Sequence, residues 1–470
     1  MCFRKDISPR NRCLKNVISK HSEDHVKELL KRVALDRVKF IELQFSDLLG
    51  SVKSVTIPAR RLEMVLRDGV YIDGSSILGY STVNESDMRA KPIAGSYLTY
   101  PWTLNGERRT GRLLCTIYDA STRDTGEDRF TGDPRYILER QLERAKDMGF
   151  SYQIGPEIEF FLFDTDGDDR PQRRPSDQGG YFDLIPKDRG EDVRKDIMGT
   201  FDAMGFDVEA SHHEVAPGQQ EIALRYSDAL TVADRMTTMK LGIRTIAKQH
   251  DMHATFMPKP LEDAYGSAMH VHQSLVDENG ANVFDDPDGK YGLSETALHF
   301  IGGLLAHAKE TCAILTSHIN SYRRLIPGYE APFCLTWANR NRSALIRVPA
   351  GRGNSTRVEH RNPDPAGNQY LQFAVMLAAG LDGVEKGMDP GDPFEEDTYA
   401  MDRWQIAEKG IGTLPEDLGN ALSYMRGSEL VRDVLGQHTF DSFLHVKDAQ
   451  WDRFRRHVTA FELEGCIEVI

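Results

Sequence analysis

Gly155-Pro156-Glu157-Ile158-Glu159-Phe160-Phe161-Leu162-Phe163 is the stretch on which the reading of this chain turns. A strand alternates its side chains between two faces, so Glu157 and Glu159 share one face and Ile158 and Phe160 the other. Two neighbouring carboxylates in so apolar a strand repel one another and are costly to bury unpaired. A divalent cation relieves both problems; a solvated strand face is the plainer explanation of this motif alone. Three further stretches bear on the choice. Ser211-His212-His213-Glu214-Val215-Ala216-Pro217-Gly218-Gln219-Gln220-Glu221 supplies Glu214 and Glu221 on either side of a Pro-Gly turn. Gly266-Ser267-Ala268-Met269-His270-Val271-His272-Gln273-Ser274 alternates so that His270, His272 and Ser274 share a face. Arg357-Val358-Glu359-His360-Arg361 does the same for Arg357, Glu359 and Arg361. Each has a plain explanation, since a lone strand histidine is more often a structural hydrogen-bonding residue and Arg–Glu pairs are common on surfaces. Taken together they offer an oxygen-rich donor set, which suits Mg²⁺ or Mn²⁺ better than zinc. Two such ions clamp a transferring phosphoryl group.

The arginines point the same way. Asn320-Ser321-Tyr322-Arg323-Arg324-Leu325-Ile326-Pro327-Gly328-Tyr329-Glu330-Ala331-Pro332 is a turn-rich loop with a basic entry and one acid, and Asn339-Arg340-Asn341-Arg342-Ser343-Ala344-Leu345-Ile346-Arg347 adds more. A basic cluster beside a carboxylate-rich metal site suits a nucleotide triphosphate and an anionic second substrate. An exposed basic turn is the plainer account of Arg323 and Arg340. No Gly-x-x-x-x-Gly-Lys-Ser/Thr stretch is present, which excludes a P-loop enzyme. The residues alone lead to a metal-dependent enzyme acting on phosphates and a carboxylate substrate.

The chain has 470 residues, 58 Lys+Arg against 72 Asp+Glu, and a net charge of -14. At about 150 residues per domain, that length suggests about three domains, or two with one large. Its 28% charged and 40% hydrophobic residues are ordinary for a globular protein. The acidic balance argues against a nucleic-acid partner. No apolar run reaches the roughly 18 residues of a membrane helix; the longest, Phe373 to Leu381, reads as a core helix, and no membrane partner is expected. Residues 1–20 carry Arg4, Lys5, Arg10, Arg12, Lys15 and Lys20 without a signal-peptide core, and read as a flexible basic extension. Six scattered cysteines with no Cys-x-x-Cys pair fit a reducing cytoplasm.

The expected class is α+β. Val26, Leu29, Leu30 and Val33 recur at helical spacing after Ser22, a plausible cap. Ile41, Leu43 and Phe45 then alternate with Glu42 and Gln44, as in a half-buried strand. A small domain is expected over 21–118, a polar linker over 119–133, and a large domain over 134–470. Within the large domain, Tyr136 to Met148, Gln369 to Leu381 and Ala421 to Leu435 read as helices, and Asp164 to Asp188 as a long loop.

Several motifs, in order and correctly spaced, resemble the glutamine synthetase family, specifically its shorter type I form without adenylylation control. They are Asp73-Gly74-Ser75-Ser76, Asn84-Glu85-Ser86-Asp87-Met88, Gly155 to Glu159, His212 to Gln219, Ala254-Thr255-Phe256-Met257-Pro258-Lys259-Pro260, Asn320 to Pro332, Asn341-Arg342-Ser343 and Asn362-Pro363-Asp364-Pro365-Ala366. The resemblance implies a small β-grasp-like N-terminal domain and a large catalytic domain built on a curved antiparallel sheet with surrounding helices. It implies a homo-oligomer, a double-ring dodecamer with active sites between subunits. The implied reaction joins ammonia to L-glutamate through γ-glutamyl phosphate, giving glutamine, ADP and phosphate, as in nitrogen assimilation. The implied cofactors are two or more Mg²⁺ or Mn²⁺ ions, with ATP as co-substrate.

Carried over by motif, Glu159, Glu214 and Glu221 hold one metal, and Glu157, His270 and Glu359 the other. Glu209, His272, Ser274 and Arg347 contact ATP, with Arg357 near its phosphates. Arg324, Arg342 and Arg361 bind the substrate carboxylate or stabilise the transferring phosphoryl. Gly266 contacts glutamate through its backbone. Asp73, from the adjacent subunit, helps bind ammonium and takes its proton, with Ser76 beside it. Glu330 sits on a flap that closes over the intermediate and excludes water.

Three positions depart from the family pattern. Tyr265 and Ala268 replace the Asn and the second Gly of Asn-Gly-Ser-Gly-Met-His, and that Asn helps bind glutamate. Thr82 stands where feedback-regulated members carry Arg. Tyr399 falls near the tyrosine modified in the adenylylated form, in different surroundings. Two other functions stay open: a γ-glutamyl ligase for a small alkylamine or polyamine, which Tyr265 leaves room for, and a catalytically silent regulatory paralogue, which six intact ligand positions oppose.

Overall fold

The computed structural model describes residues 24–81, 86–103, 106–119 and 128–470. The extension 1–20, Ser22, Thr82, the Asn84-Glu85 half of its motif and residues 120–127 of the linker lie outside the described residues. The chain divides into two compact units, Met1–Asp47 with Val52–Asp133, and Leu48–Ser51 with Pro134–Ile470.

The first unit is a sheet with a helix. Residues 24–35 are helical, and Leu29 and Val33 bury their side chains from it. The strands are β1 (Phe40–Ser46), β2 (Val52–Pro58), β3 (Val70–Asp73), β4 (Asp87–Pro92), β5 (Leu98–Thr99) and β6 (Thr110–Asp119). They lie in the order β2-β1-β6-β4-β3, with β5 on β6. β1 and β6 run parallel, and the remaining pairs antiparallel. The alternation read in β1 holds, since Ile41, Leu43 and Phe45 are buried in a core shared with Leu113, Cys115 and Ile117 of β6. Beyond the undescribed linker residues, Phe130 returns to this unit, its N–H donating to the Ile117 carbonyl at 2.9 Å.

The second unit is organised by one long strand, β7 (Ser151–Thr165), which contains the Glu157–Glu159 motif. The other strands are β8 (Pro171–Pro175), β9 (Val208–His213), β10 (Gln219–Leu224), β11 (Ser227–Asp228), β12 (Met252–Thr255), β13 (Met269–Val276), β14 (Trp337–Asn339), β15 (Ile346–Val348) and β16 (Val358–His360). Their main path is β14-β15-β16-β13-β7-β10-β9. One edge of β7 pairs with β13 and then β12, the other with β11, β10 and β8. The sheet is antiparallel except at its β14–β15 edge. A rigid sheet of this kind fixes side-chain position by register, and a one-residue slip would turn every side chain of a strand to the other face.

Helices cover the sheet. The helix Gln369–Lys386 is buried from Gln369 to Gly383, starts at an Asn368 cap that accepts from Tyr370 N, and ends at a left-handed Gly387. It contains the Phe373–Leu381 run and packs with helices Glu295–Ala306, Pro134–Asp147 and Ala229–Gln249. None of the described helices is long and apolar enough to cross a membrane. Two expectations need correction. Ala421 to Leu435 is two helices, Leu418–Arg426 and Glu429–Leu435, because Ser428 caps the second by accepting from Val431 N. Asp164 to Asp188 is not all loop, since β8 turns back along β7.

Helices Glu295–Ala306 and Gln369–Lys386 approach through Gly303 and Gly383. A methyl at Gly303 would stand 2.8 Å from Gly383 Cα and collide with the Ala379 carbonyl. Gly303→Ala is expected to destabilise by about 2 kcal/mol or more through overpacking. Gly199, exposed in helix Glu191–Ala203 with open space around its added methyl, is the control. Gly199→Ala is expected to stabilise by up to about 1 kcal/mol. Thermal melts of the two variants should fall on opposite sides of the unsubstituted protein.

Candidate active site

Strand register assembles the site. Across β9, β10 and β7, His212 lies opposite Glu221 and Glu221 opposite Glu159. Across β7 and β13, Glu157 lies opposite His270. Across β13, β16 and β15, His272 lies opposite Glu359 and Glu359 opposite Arg347. Directly opposed residues on paired strands have their side chains within contact distance. Glu214 follows β9 on the turn into β10. That turn needs Gly218, whose φ is +69° and whose added Cβ would stand 2.7 Å from the Leu162 carbonyl. A buried ion pair braces it: His213 Nε2 lies 3.0 Å from Asp177 Oδ1, and His213 Nδ1 lies 2.6 Å from the Glu214 carbonyl. Asp177 also accepts from Gly218 N at 2.8 Å.

These side chains line a cavity of about 420 Å³. It brings together all six of the expected metal ligands with Tyr265, Gly266, Arg324, Glu330, Arg342, Arg347 and Arg361. Ligand atoms converge within 4.8 Å in three groups here, Glu157-Glu221-His270, Glu157-His272-Glu359 and His212-Glu214-Glu221. His212 and His272 thus stand closer to the carboxylates than the sequence reading placed them. Glu159 is in none of these groups, because its Oε2 accepts from Gln219 Nε2 at 2.7 Å and from Ala268 N at 3.0 Å.

The electrostatics divide the cluster. Burial pushes Glu159 well above the usual carboxylate range, and the charges of Glu214 and Glu157 push the same way. Glu221 is raised by burial and then by Glu157, Glu159, Glu214 and Glu359. Burial also opposes ionisation of Glu157, but hydrogen bonds from His270 and His272 outweigh it and hold the carboxyl low. Glu359 is 1% exposed, yet Arg361, His272, His270 and Arg347 overcome its burial and hold it at about 2. Arg347 and Arg361 both bond Glu359 directly. The donor set therefore fits hard divalent cations: carboxylate oxygens dominate, and Glu159 and Glu221 lack the positive charge that Glu359 has.

A second cavity, about 450 Å³, adjoins the first and shares Glu157, His212 and Glu221 with it. Glu209, His272, Ser274 and Arg357 line it, as expected for one ligand, whereas Arg347 faces the first cavity. Arg357 Nε donates to His272 Nδ1 at 3.2 Å, and His272 Nε2 reaches Glu157 Oε1 at 2.9 Å, so the two cavities are linked by hydrogen bonds. Arg324 is 2% exposed, with its guanidinium on the carbonyls of Asn362 and Pro363. Arg323 and Arg340 are exposed and line neither cavity. Asp73 is in the first unit, where it caps its turn by accepting from Ser75 N at 3.0 Å, Ser75 Oγ at 2.6 Å and Ser76 Oγ at 2.7 Å. Those bonds lower its pKa.

Tyr181 escaped the sequence reading, and Tyr399 entered it only for its place near the tyrosine of the adenylylated form. Tyr181 lines the first cavity beside Arg342 and Glu214. Tyr399 Oη lies 2.8 Å from the Glu330 carbonyl and 3.1 Å from that of Arg342. Tyr181 follows Gly179-Gly180 in a stretch without periodicity, so only its aromatic character among glycines signalled it.

The comparisons agree with this geometry. Residues 37–120 match the model of the glutamine synthetase beta-Grasp domain, and residues 131–466 that of the glutamine synthetase catalytic domain. A glutamine synthetase of Halobacterium salinarum is 46% identical over 445 residues, 95% of this chain and 97% of its own length. One of Methanosarcina mazei is 45% identical over 443 residues, 94% of this chain and 98% of its own length. Among solved structures, a GmaS/ADP complex superposes with a TM-score of 0.84 at 30% identity, covering 94% of this chain and 99% of its own. Both domains and their order are matched nearly end to end, and on that ground the chain belongs to the glutamine synthetase family.

Proposed function

We propose that the protein is a glutamate–ammonia ligase, which joins ammonia to the γ-carboxyl of L-glutamate with ATP and releases glutamine, ADP and phosphate. The observation that carries this reading is the cavity itself, where Glu157, Glu159, Glu214, Glu221 and Glu359 and their histidines lie together with Arg324, Arg342 and Arg361. A carboxylate is a poor electrophile, so phosphorylation to γ-glutamyl phosphate must come first. Glu159, Glu214 and Glu221 would hold one divalent cation and Glu157, His270 and Glu359 another. When bound, Mg²⁺ or Mn²⁺ supplies positive charge to the phosphoryl oxygens. Glu209, His272, Ser274 and Arg357 line the second cavity and would take the nucleotide, with Arg347 at the boundary. Arg324, buried and lacking a directly bonded carboxylate among the described residues, suits the substrate carboxylate, alongside Tyr265 and Gly266. Arg342 and Arg361 stabilise charge on the transferring group. Asp73 takes the proton that ammonium must lose before it attacks. Glu330, on its exposed loop, covers the intermediate.

The alternative, a ligase for a small alkylamine, rests on Tyr265, which stands where the family carries Asn. Against it stand the glutamine synthetases, at 44–46% identity. A homo-oligomer, as a double ring with sites shared between subunits, is the proposed assembly, in the cytoplasm. The C-terminal residues Phe461, Ile467 and Val469 are 85%, 72% and 81% exposed, which suits burial against another copy.

Metal dependence is the first expected outcome. Glu359→Ala should lower kcat/KM by about 100-fold or more. Burial and neighbouring carboxylates raise Glu159 and Glu221 in the metal-free protein, so a cation bound there competes with protons for them. Binding of Mg²⁺ or Mn²⁺ should therefore release protons and tighten as pH rises. Calorimetry in buffers of different ionisation enthalpy measures this; full activity after exhaustive chelation would sink the assignment.

The second concerns sharing. Asp73→Ala and Glu359→Ala chains, each impaired alone, should regain part of the activity when mixed into one assembly. No recovery in demonstrably mixed assemblies counts against a shared site.

The third concerns the amine. Asp73→Ala should raise the ammonia requirement and lower turnover while ATP binding changes little. In the unsubstituted enzyme, ammonia should outcompete methylamine and putrescine at equal free base. A preference for either alkylamine overturns the ammonia reading.

A further inference from the structure

We infer that Lys259 and Tyr329 form a clasp that holds the Glu330 loop closed, making both of them positioning residues that set how much ATP is coupled to amide formation. The inference rests on the proposed ligase reading. Ile326, Pro327, Gly328 and Glu330 are exposed, but Tyr329 between them is half-buried. Its ring lies against the Lys259 ammonium, with Nζ 3.6 Å from the ring centroid. That distance is well inside the range of cation–π attraction. Tyr265 adds its ring at 6.3 Å and 78°, an edge-to-face contact.

Lys259 is built to grip. It is 7% exposed, and Nζ donates to the carbonyls of Glu262 and Ala264. An ammonium has three donors, and these two carbonyls leave one side for the ring. Asp263 and Glu262 act on its charge from nearby, but the direct contacts of Nζ are the two carbonyls and the ring. Its backbone is pinned from both sides by Asn320: Lys259 N donates to Asn320 Oδ1 at 2.8 Å, and Asn320 Nδ2 donates to the Lys259 carbonyl at 3.0 Å. Asn320 in turn opens the segment that leads through Arg324 to the loop.

The loop needs such a clasp. Glu330 has φ of +49°, a conformation non-glycine residues seldom adopt without restraint. Tyr399 restrains it on one side by donating to its carbonyl, and Lys259 restrains its neighbour on the other. An open loop admits water to γ-glutamyl phosphate. Water then adds to the acyl carbon, the bond from that carbon to the phosphate oxygen breaks, and glutamate and phosphate leave with a proton released to solvent. ATP is consumed and no amide forms.

The test measures phosphate released and glutamine formed by the full-length enzyme with ATP and glutamate, with and without ammonia. The unsubstituted enzyme should form the two products in equal amounts. Lys259→Met keeps the stem and removes the charge, and Tyr329→Leu removes the ring. Each should raise ammonia-independent, glutamate-dependent phosphate release about five-fold or more. Tyr329→Phe, which keeps the ring face, should stay coupled. Should Lys259→Met fail to fold, the Tyr329 pair decides, since it lies on an exposed loop. Equal products in Tyr329→Leu overturn the clasp, and uncoupling in Tyr329→Phe overturns its cation–π basis. If the unsubstituted enzyme turns over ATP with glutamate but makes no glutamine, the ammonia reading fails; if it shows no glutamate-dependent turnover, the clasp's role falls with the ligase reading.

Discussion

Repulsion among Glu157, Glu159, Glu214 and Glu221 is the constraint around which the second unit is arranged. Carboxylates so close cannot all ionise in a dry setting, and a flexible backbone would let them move apart. The sheet prevents that. Glu159 and Glu221 are register partners on β7 and β10. Glu157 is held by its place on the same strand, and Glu214 by the turn that the buried His213–Asp177 pair braces. Two hydrogen bonds lock Glu159 further, one from the Gln219 side-chain amide and one from the Ala268 backbone N–H. The fold stores electrostatic strain in a framework too stiff to release it.

Relief is uneven. Glu359 has two arginines bonded to it and stays ionised; Glu157 has two histidines. Glu159 and Glu221 have no comparable partner and are pushed toward protonation. Glu359 and Glu157 thus carry their own countercharge, and Glu159 and Glu221 lack it. A site that balanced every carboxylate internally would have no use for a cation. This one leaves its unbalanced charge on the wall between the two cavities, where Glu221 is common to both.

Strand faces were legible from sequence because a strand has a fixed period. Glu157 with Glu159 and His270 with His272 share faces as their alternation predicts, whereas Arg357, just outside β16, lines the second cavity while Glu359 and Arg361 line the first. Register was not legible: nothing in β10 or β7 alone says that Glu221 stands beside Glu159 and not two residues away. The family resemblance supplied that pairing. Tyr399 and Lys259 were opaque for a related reason, since each acts on a backbone carbonyl or a ring far away in sequence. Asp73 was legible as a turn cap, and its bonds from Ser75 and Ser76 lower its pKa. The break at Gly427-Ser428 was missed because a helix tolerates one glycine, and only the Ser428 cap turns it into a boundary.

The two cavities meet over Glu157, His212 and Glu221, and that meeting place limits what chemistry can occur. On the proposed assignment, a nucleotide in one cavity and an amino acid in the other are separated only by this row of side chains. The hydrogen-bonded series Arg357, His272, Glu157 crosses the boundary. On that assignment, a change in charge on the nucleotide side is felt at Glu157 through Arg357, which immediately precedes β16, and His272 on β13. The opposite wall differs in kind, since Glu330 and Arg342 stand on exposed loops whereas Arg361 is buried against Glu359. On the proposed assignment, a stiff floor that holds charge and a loop-borne cover would divide the two demands of an acyl phosphate, its formation and its protection, between separate parts of one fold.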